Sequence, residues 1–159
     1  METAVMPDKV DLSPGERAQF LALVKEREKQ GFDFDGAEAS LIVLARRLKG
    51  SYQPPFDILE FESIVLNKSA SFPFSEAIIT VRVEGEDRKE ISEGNGPVNA
   101  LDKALRKALL GSFPFVDDIL LEDYRVSILD GQNGTASMVR VLIDFSDGKE
   151  RWVAVGCSA

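Results

Sequence analysis

The most suggestive stretch of the sequence for chemistry is a glycine-rich turn directly before a helical segment. It consists of Gly94, Asn95, Gly96 and Pro97. The two glycines permit a close backbone approach and unusual φ values, and Pro97 suits the first position of a helix. The N–H groups of a first helical turn have no partner inside the helix, so they form a ready site for a carboxylate. In an arbitrary protein this pattern is more often only a tight turn, because isolated glycine motifs are weak signals.

Few residues are suited to catalysis. The sequence contains no histidine, which removes Ser-His-Asp and Cys-His nucleophiles and every histidine-ligated metal site. The adjacent pairs Asp117-Asp118 and Glu122-Asp123 point to opposite faces of an extended segment and do not converge. The single cysteine, Cys157, has no histidine to activate it, and we interpret it as a small strand residue. We therefore expect no catalytic residues and no metal site in this chain.

Composition limits the partners. The 159 residues include 27 acidic and 19 basic side chains, a formal charge of −8 that disfavours nucleic acid and anionic membranes. No apolar run approaches the length of a membrane span or resembles a secretory signal. We expect a cytoplasmic protein with neither nucleic-acid nor membrane partners. The chain is also too short for an eight-stranded α/β barrel.

The N-terminal part of the sequence predicts two helices. Ser13-Pro14 with Glu16 is a capping-box signal for a helix that should end at Gly31. A second helix is predicted over 37–49, with Gly50 just past its end. Two consecutive prolines at positions 54 and 55 then mark a joint. We accordingly divide the chain into a helical connecting subdomain, residues 1–50, and a second domain, residues 51–159.

After the joint the apolar period changes from helical to alternating. It predicts three strands, a helix from residue 98 up to Gly111, and three more strands; the strands cover residues 58–66, 76–84, 88–91, 120–129, 136–145 and 150–155. The two β-β-β segments echo each other. Leu59-Glu60-Phe61 can be laid on Glu122-Asp123-Tyr124, the Val-Arg-Val segment at 81–83 on that at 139–141, and Gly94 on Gly156.

The repeat predicts an α+β fold of two β-β-β(-α) units preceded by a two-helix connecting segment. The first unit ends in a helix, but no residues remain after the second unit to form one. Its exposed apolar surface must be covered by a missing helix or by another chain, so a symmetric dimer is a natural solution.

Two stretches carry a resemblance to a known family. Residues 93–101, Glu-Gly-Asn-Gly-Pro-Val-Asn-Ala-Leu, followed by Leu-Glu-Asp-Tyr at 121–124, resemble the C-terminal regulatory domain shared by isopropylmalate synthases and citramalate synthases. Residues 31–40, Gly-Phe-Asp-Phe-Asp-Gly-Ala-Glu-Ala-Ser, resemble the connecting segment of citramalate synthases in particular. The resemblance implies a dimeric regulatory domain with two β-β-β-α units per protomer and an amino-acid end product bound near the interface.

The resemblance also implies where that effector binds. Its carboxylate would lie at the glycine turn, its ammonium near Asp102 or Asp123, and its aliphatic side chain among apolar residues, of which Tyr124, Val126 and Ile128 share a face of their strand by alternation. The residues expected at the effector site are Gly94, Asn95, Gly96, Val98, Leu101, Asp102, Leu121, Asp123, Tyr124, Ile128 and Met138. The apolar members would be ordinary core residues in any sheet-plus-helix domain.

The function implied is feedback regulation of a citramalate synthase by isoleucine, with this chain a non-catalytic homodimeric fragment. The parent enzyme would condense acetyl-CoA with pyruvate in a separate barrel that holds a divalent metal, and this fragment would carry no cofactor. Two alternatives stay open at this stage, a leucine-sensing domain of a 2-isopropylmalate synthase and a purely structural dimerisation module. The amino-acid-binding ACT family is disfavoured, because three successive strands precede the helix here.

Overall fold

A computed structural model describes residues 9–67, 73–129 and 137–158. Its element order is α1 (Pro14–Lys29), α2 (Glu38–Leu48), β1 (Phe56–Leu66), β2 (Phe74–Val83), β3 (Glu86–Gly94), α3 (Pro97–Leu110), a short 3-10 helix (Pro114–Asp118), β4 (Leu120–Ile128), β5 (Val139–Ser146) and β6 (Arg151–Ser158). The predicted α+β fold is confirmed, with element ends that shift by three residues or fewer. The turn predicted over 131–134 and the start of the strand predicted at residue 136 lie outside the described residues.

The residues predicted to start and end the two N-terminal helices do so in the structure. The Ser13 hydroxyl accepts the Glu16 N–H at 3.3 Å, and the Glu16 carboxylate accepts the Ser13 N–H at 2.8 Å, which completes the capping box of α1. Gly31 follows α1 with φ +95°, and Gly50 follows α2 with φ +70°. Both positions favour glycine, because the left-handed region is costly for side chains with a Cβ.

The chain folds into two compact units, one formed by residues 54–118 and the other by residues 1–53 together with 119–159. In the first, β1, β2 and β3 form an antiparallel sheet in sequence order with α3 on one face. Alternate residues of β2 are buried, among them Ile79 and Val81, and they pack against Ala104, Ala108 and Leu109 of α3. The alternate apolar residues of β2 and the apolar face of α3 thus bury each other.

In the other unit, β4, β5 and β6 form a second antiparallel sheet in sequence order, and α1 and α2 belong with it. The helices share a small core that includes Phe20, Val24 and Leu41, and Val155 of β6 packs against it. The Val155 N–H donates to the Ser40 hydroxyl of α2 at 2.9 Å. The two helices therefore belong to the same compact unit as the second sheet, because their apolar residues pack against that sheet. The division into residues 1–50 and 51–159 stays a prediction.

The internal repeat is visible as two bulges. A β-bulge interrupts the β1–β2 pairing at Leu59, and another interrupts the β4–β5 pairing at Glu122. The predicted superposition of these two residues is confirmed. The predicted superposition of Gly94 on Gly156 is wrong, since the strand registers place Gly94 in correspondence with Ser158.

The second strands also align differently from the prediction. Phe61 faces Ile79 in the first sheet, and Tyr124 faces Ile143 in the second. Ile79 and Ile143 therefore correspond, 64 positions apart along the chain rather than the 58 implied by the two Val-Arg-Val segments. The error has a physical cause: a two-residue apolar period makes any even shift along a strand look alike.

No helix in the described part of the chain is long and apolar enough to cross a membrane.

Candidate functional site

The predicted turn lies at the end of β3, where Gly94 is buried. A Cβ at this position would stand 2.5 Å from the Ala100 nitrogen and 2.6 Å from the Asn99 Oδ1. The predicted close backbone approach is thus confirmed for Gly94. It allows the first turn of α3 to lie directly against the end of the sheet.

The prediction of unusual φ values at the two glycines is wrong. Gly94 has no positive φ, and Gly96 is extended, with φ −171° and ψ 173°. Gly96 is the N-cap of α3, so it takes the extended backbone that this position requires of any residue. Space is open around it, with no atom within 4 Å of an added Cβ.

The helix start itself is open. Pro97 occupies the first helical position as predicted, and the Ala100 N–H donates to the Gly96 carbonyl at 3.0 Å. Helical geometry leaves the N–H groups of Val98 and Asn99 without intrahelical acceptors. Both residues are exposed as a whole.

Other predicted residues of this unit have local roles. The Asp102 carboxylate accepts the Arg106 Nε–H at 2.8 Å, four residues further along α3. Leu101 packs against the core beneath the helix, and Val98 is 46% exposed. Asn95 donates its N–H to the Asn99 side chain at 3.2 Å, which stabilises the turn.

Two serines near the turn were not predicted. Ser75 faces Gly94 across the sheet, and Ser92 lies two residues before it on β3. Both are buried, and their hydroxyls have no hydrogen-bond partner among the described residues. A signal was present in the sequence, because Ser75 occupies an inward position of the alternating pattern of β2. Unsatisfied buried hydroxyls are unusual enough in proteins to require an explanation.

The remaining five predicted residues lie in the other compact unit. The pairing of β4 with β5 confirms that Tyr124, Val126 and Ile128 share a face, and Leu121 lies on it as well. Asp123 alternates to the opposite face, where Arg125 stands 3.5 Å from its carboxylate.

Met138 is also turned away from that face. Its sulfur would lie 3.0 Å from a Cβ added to Gly31, so it points toward the end of α1. Within this unit the structure thus brings together Leu121, Tyr124 and Ile128, and separates Asp123 and Met138 from them.

The face that carries Tyr124 is apolar and uncovered. In the first sheet the corresponding face of β2 packs under α3, and Ile79 is 1% exposed there. In the second sheet Tyr124 is 49%, Val126 57% and Ile128 65% exposed. The neighbouring face residues on β5 and β6 are only half-buried; they are Val139, Val141, Ile143, Phe145, Trp152 and Ala154.

Apolar residues of β1, the edge strand of the first sheet, are exposed in the same way. Helix α3 lies over β2 and β3, so β1 keeps an open row on the same face. Phe61, the counterpart of Tyr124, is 62% exposed, and Val65, the counterpart of Ile128, is 60% exposed. Large contiguous apolar patches on a protein surface mark interaction sites.

Among the described residues, no three His, Cys, Asp or Glu side chains come together as ligands for a metal ion. Cys157 on β6 is half-buried, and burial raises the pKa of its thiol more than the nearby Arg140 charge lowers it. This thiol is therefore less reactive than an exposed cysteine.

The fold and its exposed faces define a class of protein, α+β domains assembled from a repeated three-stranded antiparallel unit. Residues 35–159 match the LeuA allosteric (dimerisation) domain, and the chain belongs to this family as a regulatory domain.

The relatives it matches share a name. The chain is 44% identical over 142 residues to a protein named (R)-citramalate synthase from Synechocystis, covering 87% of this chain and 26% of that protein. Proteins of the same name from Geobacter sulfurreducens and Aquifex aeolicus are 42% and 40% identical, over 94% of this chain in each case. The chain spans 26 to 29% of the length of these three relatives.

Proposed function

We propose that this chain is the feedback-regulatory domain of a citramalate synthase, that it acts as a homodimer in the cytoplasm, and that isoleucine is its effector. The observation that carries the proposal is the uncovered apolar face of β4 to β6 in a chain of the allosteric dimerisation family. The name shared by the relatives supports the choice of parent enzyme. Condensation of acetyl-CoA with pyruvate, and the divalent metal it uses, would belong to other parts of that enzyme.

The homodimer follows from the exposure of the two edge rows. Residues such as Phe61 and Val126 are more than half exposed, and burying a side chain of this size is worth about 1.5–3 kcal/mol. Within the second sheet, several such residues on the Tyr124 face offer apolar surface for a self-complementary contact, in which that face of both protomers is buried. The face itself is apolar, so the contact brings no like charges directly together, and salt screens the longer-range repulsion between two protomers of charge −8.

The proposal for the effector rests on hydrogen-bond donors near the start of α3. The open N–H groups of Val98 and Asn99 suit a carboxylate at the start of α3, and the partnerless Ser75 and Ser92 hydroxyls lie at the sheet end beside Gly94. An aliphatic side chain needs apolar contacts as well, and Tyr124 stays a prediction for them from the sequence resemblance alone. Asp102, which also accepts a hydrogen bond from Arg106, stays the candidate acceptor for the ammonium group, whereas Asp123 lies on the face of β4 opposite to Tyr124.

Dimerisation can be tested with neighbouring residues of opposite orientation. Val126 lies on the uncovered face and Ser127 on the other, and both are exposed. Burying a carboxylate in an apolar interface is costly, so Val126→Asp should weaken dimerisation at least about a hundredfold. Ser127→Asp is the matched control and should leave it unchanged. Sedimentation equilibrium measures both, and a wild-type chain that stays monomeric at micromolar concentration would remove the homodimer proposal.

The effector can be tested by calorimetric titration of the chain with isoleucine, leucine and valine. We expect saturable binding with isoleucine preferred, and Tyr124→Ala should weaken it about tenfold or more through lost apolar contact. Arg125→Ala, on the opposite face of β4, is the control. A clear preference for leucine would favour the leucine-sensing domain of a 2-isopropylmalate synthase. Failure of all three to bind a folded dimer would favour a purely structural dimerisation module.

A further inference from the structure

We propose that a cleft beside α2 and β6 binds a small branched aliphatic monocarboxylate that carries no ammonium group. The cleft has a volume of about 330 Å³ and lies within one compact unit. That volume falls at the small end of ligand pockets, which range over roughly 300–1,000 Å³. The cleft is formed by the end of α1, by the segment between α1 and α2, by α2 itself and by β6, none of which contributes to the glycine turn or to β4.

The walls of the cleft are apolar and well fixed. Phe32 and Phe34 stack with ring centroids 5.9 Å apart, and Phe34 is buried. Val43 and Leu44 of α2 and Val155 of β6 supply further aliphatic surface. Apart from the arginines, the lining offers Ser40 as its polar side chain, so the apolar wall suits an aliphatic body of a few carbons rather than a ligand with many hydroxyl groups.

Two arginines provide the polar end of the cleft. The Arg27 guanidinium lies 5.6 Å from the centroid of the Phe32 ring, and the Arg47 guanidinium lies 5.0 Å from that of Tyr52. In the part of the chain that the structure describes, neither arginine forms an ion pair. One Arg27 N–H group donates to the Gln30 side-chain oxygen at 3.3 Å, and stacking leaves the other in-plane N–H groups of both guanidiniums available to a carboxylate.

The cleft discriminates against an α-amino acid. Of the described residues that line it, none is acidic, and its only other polar side chain is Ser40. The Ser40 hydroxyl already accepts the Val155 N–H at 2.9 Å. An ammonium group would therefore lose its hydration without gaining a carboxylate acceptor, and it would lie near two positive charges. The geometry thus selects the carboxylate and rejects the zwitterion of the same carbon skeleton.

The test uses ligands that differ by one group. The 159-residue chain is titrated with 3-methylpentanoate, with isoleucine, which is the same skeleton bearing an ammonium group, and with inorganic phosphate, followed by ¹H–¹⁵N NMR. We expect saturable shifts around the cleft, at residues such as Leu44 and Val155, with 3-methylpentanoate only. An absence of saturable shifts there would overturn the proposal. Equal shifts there with isoleucine or with phosphate would also overturn it, because selectivity for an apolar monocarboxylate would then be absent.

Neighbouring arginines on α2 give a matched pair of variants. Both side chains are exposed, and only Arg47 lines the cleft. Arg47→Gln should weaken 3-methylpentanoate binding about tenfold, as loss of a charge-assisted hydrogen bond does, and Arg46→Gln should change it less than about twofold. Val43→Phe fills the cleft without altering charge and should abolish binding, which provides a second test if Arg47→Gln fails to fold. Isoleucine binding at the proposed effector site should be unchanged in Arg47→Gln, so the two proposals can fail separately.

Discussion

Gly94→Ala tests the close approach between the end of β3 and the start of α3. The new methyl group would stand 2.5 Å from the Ala100 nitrogen and 2.9 Å from the Ala100 Cα. Those atoms belong to the helix backbone, so relief requires movement of the helix start rather than rotation of a side chain. Because the φ of Gly94 is not positive, the penalty is one of space and not of backbone conformation.

The expected cost follows from overpacking. Inserting a methyl group into close-packed surroundings costs about 1–3 kcal/mol. Alanine also restricts the unfolded chain, which offsets about 0.4–1 kcal/mol of that cost. We expect the variant to be less stable by about 1–2 kcal/mol, which corresponds to a melting temperature lower by roughly 2–8 °C in a chain of this size. Urea unfolding followed by far-ultraviolet circular dichroism measures the change.

Gly96→Ser is the matched control two residues away. Gly96 is an extended N-cap with open space around it, and a serine hydroxyl there can accept an N–H of the first turn. This variant should be more stable by about 0.5–1 kcal/mol. A Gly94→Ala protein as stable as the wild type, or a Gly96→Ser protein destabilised as much as Gly94→Ala, would refute the contrast between a crowded and an open glycine.

Three further predictions concern the other compact unit. Ser13→Ala removes one arm of the capping box of α1 and should cost about 1 kcal/mol in thermal unfolding; an unchanged melting temperature would contradict the cap. Gly31→Ala should destabilise more than Gly36→Ala, since both have positive φ but only the methyl group at position 31 meets other side chains; equal urea midpoints would contradict this. Asp144→Asn should destabilise the protein at pH 7, because the hydrogen bond from Arg151 lowers the pKa of that carboxyl and so adds stability above its ordinary value. The difference from wild type should shrink as the pH falls below about 3.9, and urea unfolding that shows the same difference at pH 7 and pH 3 would contradict the ion pair.

Local signals in the sequence were enough to predict the elements. The capping box at Ser13 and the glycine at position 50 mark helix ends, and both act through atoms within a few residues of themselves. The bulge at Leu59 recurs at Glu122, so the repeat was also visible in the sequence at the first strands. Alternation correctly placed Tyr124 and Ile128 on one face, because a strand's side-chain period depends only on its backbone.

Features that depend on distant segments were predicted less well. The registers of the second and third strands were misjudged, since a period of two residues does not distinguish one even shift from another. The glycine turn was correctly identified, and of the two reasons given for it the close backbone approach is confirmed at Gly94, whereas the unusual φ is wrong. Asp123 lies away from the Tyr124 face, as alternation along β4 requires of its direct neighbour, and Met138 lies beside Gly31, a contact between distant segments that no sequence pattern reports.

The amino-acid sequence by itself determined that this is an α+β domain with a repeated three-stranded unit and an apolar surface left to cover. These properties follow from periodicity, caps and turns, which are written in neighbouring residues. Only the tertiary structure decided that α1 and α2 join the second sheet, that Ser75 and Ser92 lie buried beside Gly94, and that Arg47 borders an apolar cleft. Each of these depends on contacts between segments far apart in the chain, where packing and charge select one arrangement among many that local sequence permits.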